Sequence, residues 1–122
     1  MALIIPTKQS FAPKAWGSSI DIFGWLGATS GSTFQGISPL GWCDASFQVE
    51  GTFAGALVSA QGCIDGVNFH TLHDPFANPI SFSVASFAQI VEICPFIIPV
   101  MQGAVGGTSL NIYLCVRNPL PQ

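Results

Sequence analysis

His70, His73 and Asp74 form the one cluster in this chain whose residue types could serve acid–base or metal chemistry. On an extended strand, residues three apart face opposite ways, so the two imidazoles converge only where a turn or bulge intervenes. A zinc centre would also need a third or fourth ligand from elsewhere in the chain. The plainer reading is two histidines on a strand and in the loop after it. Cys43, Cys63, Cys94 and Cys115 show no CxxC spacing of the kind that zinc sites and redox pairs use. Cys43 falls on the apolar face of its strand, where a buried thiol is a poor nucleophile. The carboxylates Asp21, Asp44, Glu50, Asp65, Asp74 and Glu92 are scattered, so a glycosidase pair would depend wholly on the fold. Nucleophile elbow, dinucleotide fingerprint, P-loop and HExxH are all missing. The expectation is a protein that is not an enzyme, holds no cofactor or metal, and uses its four free thiols as small hydrophobes.

The three tryptophans, Trp16, Trp25 and Trp42, stand beside ten phenylalanines. Such residues can build a sugar-stacking platform, but more often they anchor cores and interfaces. A carbohydrate-binding β-sandwich module therefore stays as an alternative function.

At 122 residues the chain fits one domain. Three Lys or Arg and six Asp or Glu make it 7% charged, against roughly 25% in an ordinary soluble domain. With 49% hydrophobic residues, it reads either as a membrane protein or as a domain largely covered by partners. A spanning helix needs about 20 mainly apolar residues, and the best stretch, 90–101, is broken by Glu92, Pro95 and Pro99. The apolar start Leu3-Ile4-Ile5 has no basic stretch before it and is too short for a signal peptide. The chain is expected to stay in the cytoplasm where it is made, or in an assembly built there. Lys8, Lys14 and Arg117 cannot form the basic stripe that phosphates require. Neither membrane nor nucleic acid is an expected partner.

Alternation of apolar and polar residues is the main structural signal. Cys43, Ala45, Phe47 and Val49 point one way, and Asp44, Ser46, Gln48 and Glu50 the other. Leu110, Ile112, Leu114 and Val116 repeat the pattern, as do Ile80, Phe82 and Val84. Each marks a half-buried strand. Strands are expected at about 20–26, 43–50, 54–63, 67–72, 80–84, 95–102 and 108–117, with one more before residue 40 and a short helical turn within 86–92. Asp65-Gly66 is the pair that type I′ hairpin turns favour. Short strands at this spacing imply an all-β fold, an antiparallel β-sandwich of jelly-roll kind. Residues 1–16 read as an extended arm, 17–117 as the sandwich, and 118–122 as a tail that cannot pair as a central strand. The Gly-, Ser- and Thr-rich stretch 27–39 reads as a long loop.

Gly51-Thr52-Phe53-Ala54-Gly55, followed by Gln61-Gly62-Cys63-Ile64-Asp65-Gly66-Val67-Asn68-Phe69, resembles the small capsid decoration (cement) proteins of tailed bacteriophages. Those proteins show a G-T-F-x-G strand and a G-S-x-D-G-x-N-W hairpin. A T-L strand, a proline-bearing strand and a glycine loop follow. Thr71-Leu72, Ile98-Pro99-Val100 and the segment 103–107 are the counterparts here. Phe69 stands in place of their Trp, Cys63 in place of Ser, and Ile98 in place of a basic residue. The resemblance covers about residues 42–117 and implies a jelly-roll-like sandwich, usually trimeric, bound to the major capsid protein on the outside of the head. No catalytic residues come with it. A head–tail connector or tail component would share the fold but assemble as a ring.

Two segments are the expected interfaces. Leu3, Ile4 and Ile5 precede Pro6 with no evident core to join, so they are candidates to anchor on the capsid. Phe96, Ile97 and Ile98 are consecutive, and an alternating strand cannot turn all three into one core. They are candidates for a homotrimer interface, closed symmetry being the usual way to hide surplus apolar surface.

Overall fold

A computed structural model describes residues 3–11, 18–38 and 44–119. The described residues are all-β and contain no helix, so none is long and apolar enough to cross a membrane. The eleven strands are β1 (Leu3–Ile4), β2 (Thr7–Phe11), β3 (Ser18–Ala28), β4 (Thr33–Phe34), β5 (Asp44–Thr52), β6 (Leu57–Cys63), β7 (His70–Thr71), β8 (Ser81–Phe82), β9 (Ser86–Ile90), β10 (Phe96–Gln102) and β11 (Ser109–Pro119). One sheet has the order β2-β3-β11-β5-β9, and every pair in it is antiparallel. In a second, β6 is central, with β10 along one edge and β7 and β8 on the opposite edge, and β1 and β4 form a small third sheet. The fold is an antiparallel β-sandwich.

Alternation explains the core. Ala45, Phe47 and Val49 of β5 and Leu110, Ile112, Leu114 and Val116 of β11 all point inward and are buried. Val58, Ala60 and Ile97 meet them from the other sheet, and the Phe47 and Phe82 ring centroids lie 6.1 Å apart. Trp25 is fully enclosed, and its indole Nε1 donates to the Gln35 carbonyl at 2.8 Å. That bond removes the cost of burying the indole donor. Trp25 is therefore core, not a sugar platform. Trp16, Trp42 and Cys43 lie outside the described residues.

Four local expectations are corrected. The stretch 86–92 is not a helical turn: its first five residues form β9, which covers the edge of β5 with Gln48 opposite Phe87. The Gly-rich stretch after residue 27 is not merely a loop. It contains β4, and Phe34 and Ile37 are buried. Ile37 also exchanges two backbone hydrogen bonds with Ile97 (2.8 and 3.0 Å), shielding part of the outer edge of β10. Covered edges resist unwanted strand pairing.

The β6–β7 hairpin does turn through Asp65-Gly66, but not with the expected type I′ geometry, which occurs between β5 and β6 instead. Ala54 (φ 48°) and Gly55 (φ 90°) are the central pair of a turn closed by Ala56 N–H donating to the Phe53 carbonyl at 2.9 Å. Two successive positive φ values are the mark of type I′. At 65–66 only Gly66 has a positive φ (81°), because the Asp65 carboxylate organises a longer loop.

The described part of the N-terminal arm is paired in the fold. β1 runs parallel to β4, Ile4 accepts a bond from Gln35 N–H at 3.0 Å, and β2 is the edge strand beside β3. At the other end, Asn118 and Pro119 extend β11 beyond 117, opposite Ser19 and Ser18 of β3. Among the described residues, β5 pairs with β11 as far as Arg117.

Candidate functional site

The segment 64–69 between β6 and β7, β7 itself and the segment 91–94 before β10 enclose an open cleft of about 840 Å³. Its floor includes Leu72, Cys63 and Cys94, all buried. Its rims carry Ile64 and Ile93, 82% and 63% exposed, and Val67 on the same loop is 75% exposed. Isolated exposed apolar side chains are common, but several around one cleft mark an interaction surface.

Two carboxylates hold the rims in shape. Asp65 Oδ1 accepts from the Val67 and Asn68 amides, each at 2.9 Å, and Oδ2 accepts from Asn68 Nδ2 at 2.7 Å. The Asn68 amide, then the Val67 amide, hold the carboxyl down at about 2 from an ordinary 3.8. Because the folded value is depressed, the loop's ionic cap is complete above pH 4 and lost as pH falls through about 2. Direct NMR titration of the Asp65 carboxyl should show a midpoint near 2, and Asp65→Ala should speed amide exchange at Val67 and Asn68 at pH 7. A midpoint near 3.8 would contradict this account.

On the facing rim, Glu92 Oε1 accepts from the His73 amide at 2.8 Å, and Oε2 meets His73 Nδ1 at 2.6 Å. Partial burial pushes the Glu92 carboxyl up, but the His73 amide and ring outweigh it and leave it below its ordinary value. The Val91 amide also donates to the His73 carbonyl at 2.9 Å. These bonds tie the segment before β10 to the strand end after β7. The sequence offered no local sign of the Glu92–His73 pair, since the partners are 19 residues apart.

His70 and His73 both line this cleft. Asp74 does not join them. Its Oδ1 accepts from the Phe76 and Asn78 amides and shapes the next turn. Among the described residues, no three His, Cys, Asp or Glu side chains converge as a metal ion would need. Cys63, Cys94 and Cys115 are free thiols. Burial, then the Glu92 charge, raises the Cys94 pKa; burial, then Asp44 and Asp21, raises that of Cys115. Neither has the thiolate character of a nucleophile.

The two expected interface segments are split by strand alternation. Leu3 and Ile5 face outward, 58% and 65% exposed, while Ile4 packs against the core. Ile97 is fully buried and offers a partner nothing. Phe96 and Ile98 are half-buried, the first beneath Gly66 of the cleft loop and the second against Gly36. The three consecutive residues thus do not form one exposed patch. Two are divided between the loop and the β4 side, and one is core.

Arg117 donates to Asp44 through Nε and Nη2 (2.7 Å for the closest bond), and Lys8 lies 3.9 Å from Asp21. No protein-family model matches the chain, and no curated protein or solved structure matches it either.

Proposed function

We propose that this chain is a structural protein of a bacteriophage particle, a decoration protein that binds the outer surface of the capsid as a homotrimer and reinforces it. The observation that carries the reading is the apolar rim of the cleft, Ile64 and Ile93, with exposed Val67 on the same loop, on a chain with so few charges. The sequence likeness at 51–69 supplies the capsid as the partner. Leu3 and Ile5 offer a second apolar contact, reduced from the expected triplet by the inward turn of Ile4. An interface of ordinary size, about 1,600 Å² in total, supplies nanomolar-class affinity when well packed. Many copies bridging neighbouring capsid subunits then raise the work needed to separate them.

Co-sedimentation with purified, undecorated heads tests the reading. The wild type should saturate the heads, and light scattering should give a trimer. Ile64→Ser with Ile93→Ser should lower occupancy at least about tenfold while leaving the melting temperature within about 2 °C, because the replaced side chains are exposed. Leu3→Ser with Ile5→Ser should do the same. Absence of the wild-type protein from purified phage particles would overturn the proposal.

A further inference from the structure

The outer face of the five-stranded sheet, turned away from the core, carries its own set of side chains in register. Tyr113 of β11 stands opposite Gln48 of β5, and Gln48 stands opposite Phe87 of β9. In the adjacent row, Gln9, Ile22, Cys115 and Ser46 align across β2, β3, β11 and β5. They surround a shallow hollow of about 480 Å³.

Tyr113 is half-buried and pairs with Gly24 across β3 and β11, and its ring lies at ordinary contact distance, 3.5 Å, from where a Cβ at Gly24 would sit. Phe87, two strands away, is 67% exposed. Strand spacing of about 4.8 Å sets the Cα atoms of Tyr113 and Phe87 about 10 Å apart, with Gln48 between them.

The chemistry of this face is selective. Glu50 is the one acidic residue lining the hollow, and it accepts a bond from Gln48 Nε2 at 2.9 Å. No Lys or Arg lines the hollow, and Arg117, the next residue along this face of β11 after Cys115, is paired with Asp44, so a phosphate or an acidic sugar is not favoured. A purely apolar partner would strip water from Gln9, Gln48 and Ser46 without replacing their hydrogen bonds, which is unfavourable. The complementary ligand has flat C–H faces for the two rings and hydroxyls for the amides. A neutral sugar has both.

We propose that the outer face of the five-stranded sheet binds a neutral oligosaccharide, stacked on Tyr113 and Phe87 and hydrogen-bonded by Gln48 and Gln9. The site is separate from the apolar cleft and does not depend on the capsid reading.

Full-length protein titrated with cellohexaose, maltohexaose, chitohexaose and mannohexaose, followed by amide NMR shifts, tests it. At least one sugar should bind and shift the amides of β5, β9 and β11. Tyr113→Ala, Phe87→Ala and Gln48→Ala should each weaken that binding about tenfold, with melting temperatures within about 2 °C of wild type. Three results would overturn the proposal. One is no binding of any of the four at millimolar concentration. Another is binding that survives both aromatic substitutions. The third is light scattering in which those substitutions dissociate an oligomer, which would make this face a contact between copies of the chain.

Discussion

Gly51→Ala is expected to cost about 3–5 kcal/mol and to lower the melting temperature by well over 10 °C. Gly51 has φ 124°, a backbone conformation that L side chains rarely adopt. A Cβ there would collide with the Ser109 carbonyl oxygen and lie 3.1 Å from Leu110 Cα. Both atoms are backbone of the partner strand β11, so no side chain can rotate away. The strands must separate locally or β5 must change its path, and either disturbs pairing at Leu110, which is buried in the core. The lower entropy of the unfolded alanine chain returns only about 0.4–1 kcal/mol. Gly27→Ala is the control, because Gly27 also has positive φ (72°) but nothing within 4 Å of the added carbon. It should cost about 1 kcal/mol, the backbone term alone. Thermal unfolding of the two variants separates strain from collision. Equal losses would mean that contact with β11 is not what makes Gly51 necessary.

Phe47→Ala should be comparably damaging, at about 3–5 kcal/mol. Phe47 is fully buried at the centre of β5, between the β11 and β9 pairings, and its ring packs against Phe82 of the opposite sheet. Truncation leaves a cavity spanning both layers of the sandwich, and neither sheet can close over it without shifting its strand register. Domains of this size are stable by about 5–15 kcal/mol, so the variant should sit near the edge of folding at 37 °C. Phe87→Ala, on β9 and opposite Gln48, removes the same ring from an exposed site and should cost about 0.5 kcal/mol or less. Urea unfolding should show a large fall in midpoint for Phe47→Ala with little change in slope. A loss below 1.5 kcal/mol would show that the two sheets are not held together at this point.

The period-two pattern was enough to identify β5 and β11. Ala45, Phe47 and Val49, and Leu110, Ile112, Leu114 and Val116, face the core as their alternation requires, because side-chain direction along a strand is a local property. The all-β class followed from the same signal. The same alternation also divides Leu3-Ile4-Ile5, although the composition of that segment made it look uniformly available to a partner.

Tertiary structure decided which strand each segment meets. Phe34 and Ile37 stand alone in a polar stretch, and only pairing with β1 and β10 encloses them. Ser86–Ile90 carries too few residues to distinguish a strand from a helical turn. The open edge of β5 settles it, since nine residues of strand need a partner for their backbone groups. Asp65 could have sat in a tight hairpin, but its carboxylate captures two amides ahead of it and draws out a wider loop. Glu92 and His73 meet because β6, β7 and β10 bring distant segments together at one end of a sheet. Local sequence sets which way a side chain points. Which neighbour it finds depends on pairings between remote segments, whose free energies are shared across the sheet and written in no single stretch of residues.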